Sequence, residues 1–196
     1  MYSCIMKQPI ILASKSPRRK YLLELAEIPF EIITQDTPED FPADMPIADV
    51  PVHIARQKAL AIHALHPQRT ILAADTIVVL NDRIIGKPKD AADAENILSL
   101  LSDQVHRVIT GVVILHGDQE VAFSDTTEVS FHALSHDQIQ YYVSHYKPFD
   151  KAGAYAIQEW IGAIAIRRID GCFYNVMGLP ISRVAAALQN VESPFS

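Results

Sequence analysis

Three observations predict an α/β fold built on a mixed sheet. Short apolar runs alternate with helix-period segments through the first half of the chain, the pattern of strands and helices in turn. Two long alternating runs follow, over residues 105–115 and 121–134, joined at His116-Gly117-Asp118, and they read as antiparallel strands. With 196 residues, 49% hydrophobic and 20% charged, the chain can bury a sizeable core, as a single domain over residues 1–196 or as two lobes sharing one sheet.

Each element has its own signal. Ile10-Ile11-Leu12-Ala13 is a first strand, and a helix over residues 17–26 follows, with Ser16 as N-cap and Pro17 at the first position, where its missing N–H costs nothing. Leu22, Leu23, Leu25 and Ala26 give that helix a core face, and Ile28-Pro29 ends it. Residues 30–34 read as a second strand. Residues 35–51 are too rich in proline for an element interior and too acidic for a core, so they form a surface loop. Val52, Ala55, Ala59 and Ile62 mark a helix over residues 51–66, stopped by Pro67. Residues 70–80 are a strand, Asn81-Asp82 a turn and residues 83–85 a return strand, together a hairpin. Asp90 or a neighbour starts a helix to about Ser102, and Ser135-x-x-Gln138 is a capping box for a helix to His145. Residues 161–169 and 173–177 read as strands about the turn Asp170-Gly171. Gly178-Leu179-Pro180 opens a last helix to about Leu188, and the residues from Glu192 should fray.

Composition excludes several classes. The longest apolar run, residues 70–80, is broken by Asp75 and Thr76 well short of a membrane span, and no long hydrophobic signal region opens the chain, so a soluble, cytoplasmic protein with no membrane partner is expected. Cys4 and Cys172 are far apart and outside any metal or redox spacing, which favours two reduced thiols. His53, His63 and His66 form no HExxH pair and read as surface imidazoles. A net charge of −6 argues against nucleic acid as a partner, so any polyanion must be gripped locally.

Four stretches carry candidate chemistry. The first helix opens with Lys15, Arg18, Arg19 and Lys20, although the positive end of the macrodipole disfavours cations there. A phosphate held by free N–H groups and guanidinium forks explains them, with Ser14 beside it, and a solvated basic face is the plain alternative. Asp75 interrupts a strand that is apolar on both sides, and a buried carboxylate needs a cation, a metal or a substrate unless it stays protonated or caps a turn. Lys87 lies on a loop stiffened between Gly86 and Pro88. Gln158, at the end of a run of small residues, offers a donor and an acceptor, as reading a nucleobase edge requires. Lys58, alone on its helix, reads by itself as a solvated lysine whose stem covers the core.

The stretch from Ile10 to Lys20 resembles the N-terminal signature of the Maf family of nucleoside triphosphate pyrophosphatases. The likeness continues through Ala55-Arg56-Gln57-Lys58-Ala59, Ala74-Asp75-Thr76-Ile77-Val78, Gly86-Lys87-Pro88, the run from Asp150 to Gln158, and Gly178-Leu179-Pro180, which is nearly the whole chain. It implies an elongated two-lobed molecule with a central cleft, a twisted sheet flanked by helices, similar in fold to inosine triphosphate pyrophosphatases. Water would attack the α-phosphorus of a nucleoside triphosphate and release the monophosphate and pyrophosphate. The resemblance makes Asp75 catalytic, as proton acceptor or as ligand of a divalent metal cation, Mg²⁺ or Mn²⁺, shared with the substrate phosphates. It assigns Ser14, Arg18, Arg19, Lys58 and Lys87 to phosphate binding. Arg18, Thr76 and Gln158 match the residues that set base choice in the branch acting on dTTP and UTP, and modified pyrimidines such as 5-methyl-UTP follow by the same analogy. The family also places an acidic residue shortly after the second strand; Pro38 falls at or beside that position, which leaves Asp36 and Glu39 both open. A homodimer is left open as the assembly. A non-enzymatic nucleotide-binding regulator of cell division or septum formation would keep the basic loop without needing Asp75, whereas a kinase-like reading lacks a Walker-type glycine loop.

Overall fold

The computed structural model describes residues 8–192; Cys4 and the residues after Glu192 that were expected to fray lie outside them. In chain order the elements are β1 (Ile10–Leu12), α1 (Pro17–Leu25), β2 (Phe30–Ile32), α2 (Val50–His63), β3 (Ile71–Leu80), β4 (Arg83–Ile85), α3 (Ala91–Leu101), β5 (Val105–His116), β6 (Gln119–Phe131), α4 (His136–Tyr146), a 3-10 turn (Ala152–Ala154), α5 (Trp160–Ala165), β7 (Ile166–Asp170), α6 (Phe173–Met177) and α7 (Ile181–Glu192). Among the described residues the strands form one seven-stranded sheet in the order β2-β1-β3-β5-β6-β7, with β4 paired to β3 off that path. β1 runs parallel to β2 and β3, whereas β4 is antiparallel to β3 and β7 to β6, so the sheet is mixed as the sequence predicts. No helix among the described residues is long and apolar enough to cross a membrane.

The chain divides into two compact units. One takes the chain up to Asp75, then Thr110–Asp125, then the chain from Gly178; the other takes Thr76–Ile109 and Thr126–Met177. In the first unit the sequence periodicity of α2 is realised directly: Ala55, Ala59 and Ile62 are buried in one cluster with Ile11, Ala13, Ile71, Ala73, Val113 and Leu115. Gly111 on β5 is what lets α2 begin so close, since a Cβ there would lie 2.2 Å from the backbone of Pro51 and Val52. In the second unit α3 packs on α4 and on the 3-10 turn. Asp90 caps α3 by accepting from the Asp93 N–H, and Ser135 and Gln138 close the expected capping box on α4.

Two segments differ from the sequence reading, both in the second unit. Residues 161–169 are not one strand: α5 occupies Trp160–Ala165 and only Ile166–Asp170 is extended. A short apolar run does not distinguish helix from strand by itself, and here Gly162 decides, because its bare Cα packs where a Cβ would meet the Ile157 carbonyl oxygen at 1.7 Å. Phe173–Met177 is helical despite its β-forming aromatics. The buried Asn175 amide holds it there by donating to the Val108 carbonyl and the Thr127 hydroxyl, each at 3.0 Å, a tertiary bond that outweighs propensity.

The same unit buries a histidine. His106 is 1% exposed, its Nε2 lies 2.8 Å from the Tyr155 hydroxyl, and Phe131 and Tyr155 meet its ring edge-on. Nδ1 is buried with no hydrogen-bond partner among the described residues, so a proton added there would find no acceptor. Burial accordingly pushes the His106 pKa from 6.5 down to about 4. Between those values the unfolded chain binds a proton that the folded chain refuses, so stability falls as pH falls through the window, by about 3 kcal/mol. His106→Phe should therefore flatten the dependence of urea-unfolding stability on pH between 6.5 and 4; a variant with the wild-type slope would locate the acid sensitivity elsewhere.

Candidate active site

In the first unit the chain leaves the C-terminal end of β1 and turns at once into α1, the position at which parallel strands present ligand-binding loops. Ser16 has the extended backbone of an N-cap, yet its side chain does not cap. The working hydroxyl is Ser14, whose Oγ accepts from the Ser16 N–H at 3.3 Å and from Arg19 Nη1 at 3.0 Å. With two donors already on its oxygen, Ser14 has its own hydrogen left to offer an anion. Arg19 is buried and also donates from Nε to the Gly178 carbonyl at 2.9 Å. Burial lowers its pKa, Asp75 opposes that, Arg18 adds to it, and Glu39 opposes it. Ser14, Arg18, Arg19, Glu39 and Asp75 thus belong to one electrostatic cluster.

The expectation that four cations converge at this helix start needs correction. Lys15 pairs with Asp36 at 3.0 Å with both side chains in solvent, and Lys20 pairs with Glu24 one turn along α1 at 3.7 Å. Arg19, by contrast, is buried and Arg18 half-buried.

Lys58 supplies the third cation. Its ammonium sits 2.8 Å from Asp75 Oδ1 and 2.7 Å from Glu39 Oε1. Of the two acidic candidates, Glu39 reaches the lysine, whereas Asp36 is turned to solvent on Lys15. The acidic loop is fastened by the residue before Lys58, since Gln57 Nε2 donates to the Asp40 carbonyl at 3.2 Å and so delivers Glu39 to the same turn of α2. No spacing in the loop sequence distinguishes Glu39 from Asp36; the signal is Gln57, legible only once the loop is seen against the helix. Asp75 lies where β3 is least buried, at the pair Asp75-Thr76 between buried residues on either side. Asp75 is thus half-buried rather than buried, and the lysine that read as a solvated stem is the cation that partners it.

Thr76, Lys87 and Gln158 belong to the second unit. Thr76 follows Asp75 on β3, half-buried. The β3–β4 hairpin, paired from Val78↔Ile85 to Leu80↔Arg83, releases the chain into Gly86-Lys87-Pro88, where Lys87 is exposed and Pro88 buried. The Gly153 N–H donates to the Gly86 carbonyl at 3.1 Å, which ties the Lys87 loop to the segment ending in Gln158. Gly153 has φ +71° and packs where a Cβ would strike Val78 at 2.9 Å, so both its backbone angle and its closeness to β3 demand glycine. Gln158 is exposed.

These are the parts of an α/β protein that gathers Arg18, Arg19 and Lys58 with the carboxylates of Asp75 and Glu39 in one electrostatic cluster. The chain belongs to the Maf family: the pattern described as Maf-like protein matches residues 9–191. A dTTP/UTP pyrophosphatase of Cytophaga hutchinsonii is 48% identical over 185 residues, covering 94% of this chain and 85% of that one. One of Bacillus cytotoxicus is 45% identical over 186 residues, covering 95% and 97%. Among solved structures, the Ham1 protein of Staphylococcus aureus aligns with a TM-score of 0.49 and 18% identity over 92% of this chain and 100% of that one.

The two arginines should now separate. Arg19→Ala removes two buried hydrogen bonds, to the Gly178 carbonyl and the Ser14 hydroxyl, and should cost about 1–3 kcal/mol of stability, while Arg18→Ala, at a half-buried position, should cost less. Urea unfolding of both variants checks this, and equal stability would mean that the Arg19 bonds are dispensable to the fold.

Proposed function

We propose that this chain hydrolyses dTTP and UTP to the monophosphate and pyrophosphate. The observation that carries the reading is Lys58 clamped between Asp75 and Glu39, in one cluster with Arg19. Membership of the Maf family and relatives named dTTP/UTP pyrophosphatase support it. Water attacks the α-phosphorus, the bond to the bridging oxygen breaks with its electron pair left on pyrophosphate, and the water proton passes to Asp75. Lys58, which donates to Asp75 Oδ1, holds that carboxylate in place. Ser14, Arg18, Arg19, Lys58 and Lys87 meet the charge that develops on the phosphoryl oxygens. Thr76 and Gln158, with Arg18, choose the base. The cytoplasm, where nucleoside triphosphates are made and used, is the compartment this chemistry suits.

Among the described residues no group of three or more His, Cys, Asp and Glu could cage a metal. Mg²⁺ commonly takes only one or two carboxylates plus substrate phosphates, and the hard oxygens of Asp75 and Glu39 fit that use, as they do for Mn²⁺. Bound there, the cation would neutralise phosphate charge and polarise the phosphoryl group.

Asp75→Asn keeps the shape but removes the proton acceptor, and it should lower pyrophosphate release from dTTP by about 10² or more while nucleotide still binds. Pyrophosphate and orthophosphate measured over a panel of triphosphates, with binding followed by calorimetry, test it; near-wild-type turnover would remove Asp75 from the mechanism. Wild-type protein that binds nucleotide and releases nothing would favour a binding regulator instead.

Gln158→Glu exchanges a donor-and-acceptor amide for a group that only accepts. It should shift preference away from dTTP and UTP, whose bases carry carbonyl acceptors, by about 1–3 kcal/mol. An equal fractional loss for every nucleotide in the same panel would make Gln158 structural.

A further inference from the structure

Gln158 is an exposed side chain at the end of a locked backbone. Tyr155, Ala156 and Ile157 before it are 6%, 4% and 5% exposed, and Glu159 after it is half-buried. The Gln158 side chain itself stands in solvent, so what aims it acts through its neighbours. Those neighbours meet in one network inside the second unit. Tyr142 on α4 is fully buried; its hydroxyl accepts from the Ala156 N–H at 3.3 Å and donates to Glu159 Oε2. Lys151, also buried, lies 3.5 Å from Glu159 Oε1 and 2.7 Å from Asp150 Oδ1. The Glu159 N–H closes a turn on the Ala156 carbonyl at 3.1 Å, and the Gly162 N–H donates to the Glu159 carbonyl at 2.9 Å. Gly162 also backs directly onto the Ile157 carbonyl.

We propose that Tyr142 and Glu159, steadied by Lys151, form a brace that fixes residues 156–159 and thereby aims the Gln158 amide, making them positioning residues for pyrimidine choice. A hydroxyl bonded on both sides of Gln158, to Ala156 before it and Glu159 after it, spans the turn that presents the amide. Burying a tyrosine hydroxyl and an ammonium against a half-buried carboxylate for shape alone is a costly choice where apolar side chains of similar size would pack. A set amide spares the substrate the cost of ordering the turn on binding. The proposal rests on the reading above that Gln158 contacts the base.

The test compares kcat and KM for dTTP, UTP and GTP in wild type, Tyr142→Phe, Glu159→Ala, Glu159→Gln, Gln158→Ala and the double variant Tyr142→Phe/Gln158→Ala, with thermal unfolding of each. The brace predicts that Tyr142→Phe and Glu159→Ala each reduce the preference for dTTP over GTP about five- to tenfold, mainly through KM. Glu159→Gln, which keeps an acceptor for Tyr142, should recover most of it. The double variant should be no less selective than Gln158→Ala alone, because a brace has nothing left to aim. Should Tyr142→Phe fail to fold, the Glu159 pair carries the same comparison. Folded brace variants with wild-type preference, or a double variant whose loss is the product of the singles, overturn the proposal while Gln158→Ala still loses preference. If Gln158→Ala itself keeps wild-type preference, the base-reading role fails first and the brace falls with it.

Discussion

One ammonium shared by two carboxylates governs the first unit. Lys58, Asp75 and Glu39 meet within 2.8 Å, with the lysine and Asp75 side chains 18% and 16% exposed and Glu39 far more open at 53%. Asp75 stands on a strand whose other residues, Thr76 apart, are buried, so its charge has little water to lean on. Removing one partner would leave the other charge unanswered in a part-buried place, where water compensates it only in part. The position of α2 follows from that need. Its apolar side, Ala55, Ala59 and Ile62, lies on the sheet, which carries Lys58 to Asp75, and Gln57 brings the loop with Glu39 to the same turn. Arg19 depends on the arrangement too, since Asp75 and Glu39 are the groups that counter the cost of burying its guanidinium.

Close backbone approach is the other constraint, met at Gly111, Gly153 and Gly162 among others. Gly111 admits the start of α2 against β5, Gly153 sets the 3-10 turn against Val78, and Gly162 lets α5 lie on the Ile157 carbonyl. Each brings an element carrying a site residue, or its neighbour, nearer to its support than a side chain would allow. Interiors packed to crystal density leave no slack to absorb a methyl group at such contacts.

Much of this was legible in the sequence. Period and capping chemistry located every helix from α1 to α4, and the hydrophobic pattern located β3 with its single ionisable interruption. The failures have a common cause: residues 160–165 and 173–177 are short, and their conformation is decided by partners distant in sequence, the Ile157 carbonyl for one and Val108 with Thr127 for the other. The candidate site divides in the same way. Asp75 announced itself because an aspartate amid apolar residues is costly, and Arg18 and Arg19 because cations at a helix start are. That Lys15 and Lys20 turn outward, that Glu39 rather than Asp36 reaches Lys58, and that Tyr142 joins Glu159 depend on directions in space, which residue order along an irregular loop does not encode.

The second unit shows why its exposed candidates need not be imprecise. Lys87 and Gln158 both reach into solvent, yet Lys87 is followed by buried Pro88, Gln158 is preceded by buried Ile157, and the Gly153–Gly86 hydrogen bond joins the two segments. Fixing the backbone of a single residue costs roughly 1–2 kcal/mol, and immobilising a lysine or glutamine side chain up to about 2. Folding has already met the backbone part of that cost over residues 151–157, so a ligand that engaged both would have only the two side chains to order. A loop that carried the same residues without those anchors would spend several residues' worth of binding free energy on its own ordering before any discrimination between bases could appear.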